Sequence, residues 1–155
     1  MEIKKIIAII PARGGSKRIP RKNIYSFLGK PLIQWSIEAC QKSKYISDIY
    51  VSTEDAEIKE VSQKLGAKII DRPAELAEDN VWTQEVLKHA VKSLEEKGIE
   101  FDTVARVYAS PFVRAEKIDE AIEKLINHKR WEVFSVNQDG LEDAVIHIYK
   151  KECIF

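Results

Sequence analysis

The sequence predicts an α/β fold, doubly wound, with a mainly parallel sheet and helices on both faces. Three observations carry that prediction. Short β-branched runs alternate with amphipathic helical stretches along the whole 155-residue chain, the pattern that right-handed crossovers turn into a parallel sheet. The first run, Ile6 to Ile10, is apolar at every position and stopped by Pro11, as a strand buried on both faces requires. The length suits one ordinary domain with its own core, and 45% apolar against 32% charged residues is the composition of a folded chain.

After a polar loop, Gly29-Lys30-Pro31 introduces a helix with Pro31 near its first turn. Leu32, Ile33, Ser36, Ile37 and Cys40 recur on one face, and the helix ends near Ser43. Asp48 to Ser52 reads as the second strand, and Ala56 to Leu65 as a helix stopped by Gly66. Lys68 to Ile70 makes a third strand. The stretch from Asp71 to Asn80, acidic and carrying a proline, reads as a loop. Val86, Leu87, Ala90, Val91 and Leu94 mark the next helix, closed at Gly98, and Thr103 to Tyr108 the next strand. Pro111 breaks that strand. Ile118, Ala121, Ile122, Leu125 and Ile126 define one more helix, Val133 to Val136 a strand, and Ala144 to Tyr149 a last one.

Net charge is zero, so nothing global calls for nucleic acid or an acidic membrane surface as partner. No stretch has the length of a membrane span or the pattern of a signal peptide, and a cytoplasmic location is expected. Cys40 and Cys153 lack the paired spacing of a zinc site, and His89, His128 and His147 are scattered, so no metal is assigned to them.

The local charge is another matter. Residues 11–23 read P-A-R-G-G-S-K-R-I-P-R-K-N, with Arg13, Lys17, Arg18, Arg21 and Lys22 and no acid. In doubly wound folds ligands bind beyond the carboxyl ends of the strands, which is where this loop falls. Gly14 and Gly15 permit close backbone approach, so successive N–H groups can curl around an anion while the cations neutralise it. The competing interpretation, a basic loop facing water, does not use that position. A polyphosphate fits the loop, yet neither G-x-x-x-x-G-K-[ST] nor G-x-G-x-x-G is present.

The stretch I-I-P-A-R-G-G-S-K-R-I-P-R-K-N-I, followed by G-K-P-L-I-Q-W-S-I-E-A, resembles the start of the CMP-sialic acid synthetases, the N-acylneuraminate cytidylyltransferases, with their pseudaminate and legionaminate relatives. The likeness continues through I-S-D-I-Y-V-S-T-E-D, G-A-K-I-I-D-R-P-A-E-L-A-E-D-N and S-P-F-V-R-A-E-K-I-D-E-A-I. It implies a Rossmann-like nucleotidyltransferase fold. It also implies an enzyme that joins CTP to a nonulosonic sugar acid, a 2-keto acid, and releases pyrophosphate, with Mg2+ as cofactor and a homodimer as the usual assembly.

By the same resemblance the nucleotide-binding residues are Ala12, Arg13, Gly14, Gly15, Ser16, Lys22, Asn23, Arg72 and Thr83, with Arg13 and Lys22 as the catalytic pair that steadies the departing pyrophosphate. Arg72 matches an arginine that reads the cytosine ring, against which stands an ion pair with Glu75 or Asp79. Thr83 falls near the base, or else caps the helix that begins V-W-T-Q-E. Glu54 and Asp55 stand on the ligand side, as magnesium ligands or, in the reading we favour, as helix N-cap acids. The sequence departs from the sialic-acid pattern at V-Y-A-S-P-F-V-R, where Tyr108 lies near a usual glutamine and leans toward the pseudaminate branch; Arg114 is therefore given no role. The resemblance further implies one nucleotidyltransferase domain over residues 1–155 without the family's C-terminal dimer arm and magnesium-binding aspartates. The alternatives are a CTP-binding module with little or no catalysis and a sugar nucleotidyltransferase that uses another base.

Overall fold

The computed structural model describes residues 5–140 and 142–155. Strand β1 (Ile6–Pro11) starts the fold, followed by a hairpin of two-residue strands, β2 (Ser26–Phe27) and β3 (Lys30–Pro31). Next come α1 (Leu32–Lys42), β4 (Ile46–Thr53), α2 (Ala56–Lys64), β5 (Lys68–Asp71) and α3 (Thr83–Glu96). The chain continues through β6 (Thr103–Val107), α4 (Ala115–Asn127), β7 (Glu132–Val136) and β8 (Glu142–Lys150).

Six strands form the main sheet in the order β5-β4-β1-β6-β8-β7. β5, β4, β1 and β6 run parallel, while β8 is antiparallel to both β6 and β7. The mainly parallel sheet is thus as expected. The antiparallel edge arises because a short turn joins β7 to β8, and only antiparallel neighbours accept so short a connection.

The continuous apolar run of β1 is explained by its central place. Ile6, Ala8 and Ile10 face the core under α1, α2 and α4, whereas Ile7 and Ile9 face the one under α3. None of the five is more than 4% exposed. Helices cover both faces, but unevenly. Ile33 and Ile37 of α1, Ile58 of α2 and Ile118, Ile122 and Leu125 of α4 share one core. The other holds Leu87, Val91 and Leu94 of α3, together with Ile154 from a 3-10 turn at Lys151–Ile154.

Several boundaries differ from expectation in ways that shape the site. β6 ends at Val107, one residue early, although the Tyr108 N–H still donates to the Val145 carbonyl of β8 at 3.0 Å. The loop 71–80 contains a 3-10 turn at Ala74–Ala77, and α3 begins at Thr83 with Trp82 in the capping position. Thr83 is therefore not the helix cap. Helix α1 is tied to the end of β6 by Ser36, whose buried hydroxyl donates to the Tyr108 carbonyl at 2.7 Å and accepts from the Ser110 N–H at 3.0 Å.

Candidate functional site

The basic loop leaves β1 at the carboxyl edge of the sheet. Its first residue, Ala12, is buried and donates its N–H to the Ser52 carbonyl at 2.9 Å, carrying the β1–β4 pairing one step further. Gly14 follows where no side chain fits: a Cβ there would lie 2.5 Å from Asp55 Oδ2. Its N–H donates instead to Glu54 Oε1 at 2.7 Å. Gly15 is exposed with open space around it, and the Ser16 N–H turns back to the Gly14 carbonyl at 3.1 Å.

Two further contacts close the loop. Arg21, at φ 55°, makes a forked ion pair with Asp55 at 2.5 and 2.8 Å and reaches Glu57 at 2.7 Å. Asp55 also caps α2 by accepting from the Ile58 N–H at 2.9 Å. The Arg21 guanidinium is the main reason its carboxyl is pulled down from 3.8 to about 2, burial acting the other way. Asn23, only 6% exposed, donates from Nδ2 to the Arg13 carbonyl at 2.9 Å and so joins the two ends of the loop.

Arg13 then points across to the segment before α3. Its Nη1 donates to the Ala77 carbonyl at 3.2 Å and pairs with Asp79 at 2.8 Å. Lys17 pairs with the other oxygen of Asp79. Together these cations hold the Asp79 carboxyl below its ordinary range, Lys17 first and Arg13 next. Lys22 has no ion-pair partner among the described residues.

Opposite the loop, Arg72 continues the β4–β5 ladder by donating its N–H to the Thr53 carbonyl at 3.1 Å. Its guanidinium is buried at 7% exposure and anchored to one residue, Nε to the Ser52 hydroxyl at 3.2 Å and Nη2 to the Ser52 carbonyl at 2.7 Å. Burial lowers its pKa most, the nearby Glu54 opposes that, and Arg13 adds to it. The alternative of an ion pair with Glu75 or Asp79 is not what the side chain does. Thr83 Oγ1 and the Tyr108 hydroxyl share a hydrogen bond of 2.7 Å, and the Arg106 guanidinium stacks 4.6 Å from the centre of the Tyr108 ring.

Arg13, Lys22, Asn23, Arg72, Asp79, Thr83 and Tyr108 line one cleft of about 270 Å³. Ala12, Gly14, Gly15 and Ser16 shape the loop without lining the cleft, and Arg114, the residue before α4, lies outside it. The sequence reasoning missed that Asp79 faces the loop and that Tyr108 meets Thr83. The one signal for Asp79 was an acidic stretch complementary to a basic loop.

Glu54 and Asp55 are engaged by Gly14 and Arg21, and the three histidines stand apart: His89 on α3, His128 after α4, and His147 on β8 against Arg106, Tyr149 and Glu132. Among the described residues no cluster of three or more acidic, histidine or cysteine side chains is arranged to hold a metal ion. No helix among them is long and apolar enough to cross a membrane. Cys40 is buried and its thiol is pushed up to about 12.

Comparison with known proteins points the same way as the loop. The pseudaminic acid cytidylyltransferase of Campylobacter jejuni is 40% identical over 136 residues, 86% of this chain and 59% of the relative. The N-acylneuraminate cytidylyltransferase of Escherichia coli is 32% identical over 144 residues, 92% of this chain and 33% of the relative. The chain thus spans about three fifths of the first relative and one third of the second. Among solved structures, a CMP:2-keto-3-deoxy-manno-octonic acid synthetase complexed with CTP superposes with a TM-score of 0.75 at 18% identity, over 97% of this chain and 76% of that one, a likeness of fold. Residues 7–147 match the cytidylyltransferase family profile, and with nine-tenths of its length so matched this chain belongs to the cytidylyltransferase family.

Proposed function

We propose that the cleft binds CTP and that the chain serves a cytidylyltransferase activating a nonulosonic, sialic-type sugar acid to its CMP derivative with release of pyrophosphate. The observation that carries this reading is the convergence of Arg13, Lys22 and Asn23 from the loop with Arg72 and Thr83 from the facing wall on one cleft. A triphosphate lies along the loop and the base lies toward Arg72.

In this account the anomeric hydroxyl of the sugar attacks the α-phosphate, and pyrophosphate departs. Such a displacement asks the protein for positioning and charge neutralisation. Arg13 supplies forked donors and Lys22 a point charge to the leaving phosphates. Asn23 fixes the Arg13 backbone through its 2.9 Å hydrogen bond. Arg72, held by Ser52, donates to the base carbonyl, and Thr83 with Tyr108 forms the wall beside the base. The relatives' names favour a pseudaminic or N-acylneuraminic acid as acceptor. Magnesium is expected from the family resemblance, but Glu54 and Asp55 do not fit as its ligands in this arrangement, and no step is assigned to it.

Incubating the chain with CTP, Mg2+ and a nine-carbon 2-keto sugar acid, and following CMP-sugar and pyrophosphate, tests the reading. Product supports it. A second reading, a CTP-binding unit that needs further residues for turnover, is favoured by the 59% coverage of the Campylobacter relative; CTP binding without product would select it. Failure to bind CTP would refute both.

A further inference from the structure

Two cations of the loop are engaged by one of the chain's own carboxylates. Asp79 spreads its two oxygens between Arg13, at 2.8 Å, and Lys17. A carboxylate with two oxygens drawn to an arginine and a lysine occupies the same kind of donor set as a phosphate group. The ends of the loop are joined by other contacts, the Asn23 hydrogen bond and the Arg21–Asp55 pair.

We infer that Asp79 is an internal competing anion that a polyphosphate must displace from Arg13 and Lys17 in order to bind. The inference deepens the proposed function and rests on its assignment of the loop to phosphates. The physical case is one of charge and reach. Asp79 is ionised at neutral pH and lines the same cleft as Arg13 and Lys22. The two cations it holds are 35% and 81% exposed, so its grip is weak. A triphosphate brings several charges and many acceptor oxygens and wins the exchange. When pyrophosphate leaves, the carboxylate is at hand to take the cations back, so the loop does not retain its product. Asp79 therefore sets how tightly the loop holds anions.

The test is a calorimetric titration of CTP and of inorganic tripolyphosphate into the natural chain and Asp79→Asn, each first checked for an unchanged far-UV spectrum and a cooperative melt. Asparagine keeps the shape at 79 and removes the charge. Asp79→Asn should bind tripolyphosphate about three- to tenfold more tightly, the scale of one or two exposed ion pairs. The gain should shrink when Asp79→Asn is combined with Arg13→Ala. Unchanged or weaker binding by Asp79→Asn, while the natural chain binds CTP, would overturn the inference and leave the proposed function standing, with Asp79 reduced to holding Arg13 in place. A natural chain that binds neither ligand would overturn both.

Discussion

Arg13→Ala should weaken CTP binding without unfolding the protein. Arg13 stands at the start of the loop with its backbone carbonyl fixed by Asn23 and its guanidinium directed across the cleft to Ala77 and Asp79. Truncation leaves that backbone bond in place and removes the charge. A charged hydrogen bond is worth about 1.5–3 kcal/mol, which corresponds to a loss of about 13- to 160-fold in affinity. The side chain is 35% exposed, so part of its charge is already screened by water, and it must first give up Asp79; both place the loss in the lower half of that range. Calorimetric titration of CTP reads the affinity, a thermal melt reads the fold, and the natural chain's affinity should fall with added salt as phosphate contacts are screened. Unchanged CTP affinity in a folded Arg13→Ala protein would refute the assignment of the loop to phosphates.

The remaining predictions follow from contacts around that loop and from the core. Gly14→Ala should lower both the melting temperature and CTP affinity, because its Cβ would meet Asp55 Oδ2 at 2.5 Å and push the cap of α2 off Arg21. Asp55 has a folded pKa of about 2 against 3.8. Its contribution is therefore fully present above about pH 5 and is lost as pH falls toward 2, so Asp55→Asn should flatten the acid limb of a stability–pH curve over that window. Leu87→Ala should cost about 2–5 kcal/mol in a denaturant titration, since Leu87 is fully buried between α3 and the sheet. A thiol reagent should leave Cys40 unmodified in the native protein and label it on unfolding, with Cys153, partly exposed, reacting first.

What was legible in the chain depended on whether a signal was local. The run Ile6 to Ile10 declared a central strand because burial on both faces leaves no polar positions, and the structure covers it from both sides. The faces of α1, α3 and α4 were likewise written in helical periodicity. The β2–β3 hairpin was not, because two-residue strands carry no periodicity. Nor was the antiparallel direction of β8, since alternation along a strand is the same whichever way it runs. In the site, Arg13, Lys22, Asn23 and Arg72, all expected from the sequence, share the cleft, whereas Ala12, Gly14, Gly15 and Ser16 do not line it. Thr83 reads in the sequence either as a residue near the base or as a cap, and the structure gives the capping position to Trp82 and a hydrogen bond with Tyr108 to Thr83. Asp79 eluded the sequence because its partners lie 62 and 66 positions away along the chain, Lys17 and Arg13 respectively, and only folding selects one acid from the stretch E-D-N.

The measurement that bears most directly on the central claim is a crystal structure of the chain with CTP and Mg2+. The account predicts triphosphate density along residues 13–23, in reach of Arg13 and Lys22, with the cytosine ring against Arg72 and the Asp79 carboxylate turned away from Arg13. A nucleotide bound elsewhere on the protein, or one in the cleft with its base toward the loop and its phosphates toward Arg72, would contradict it.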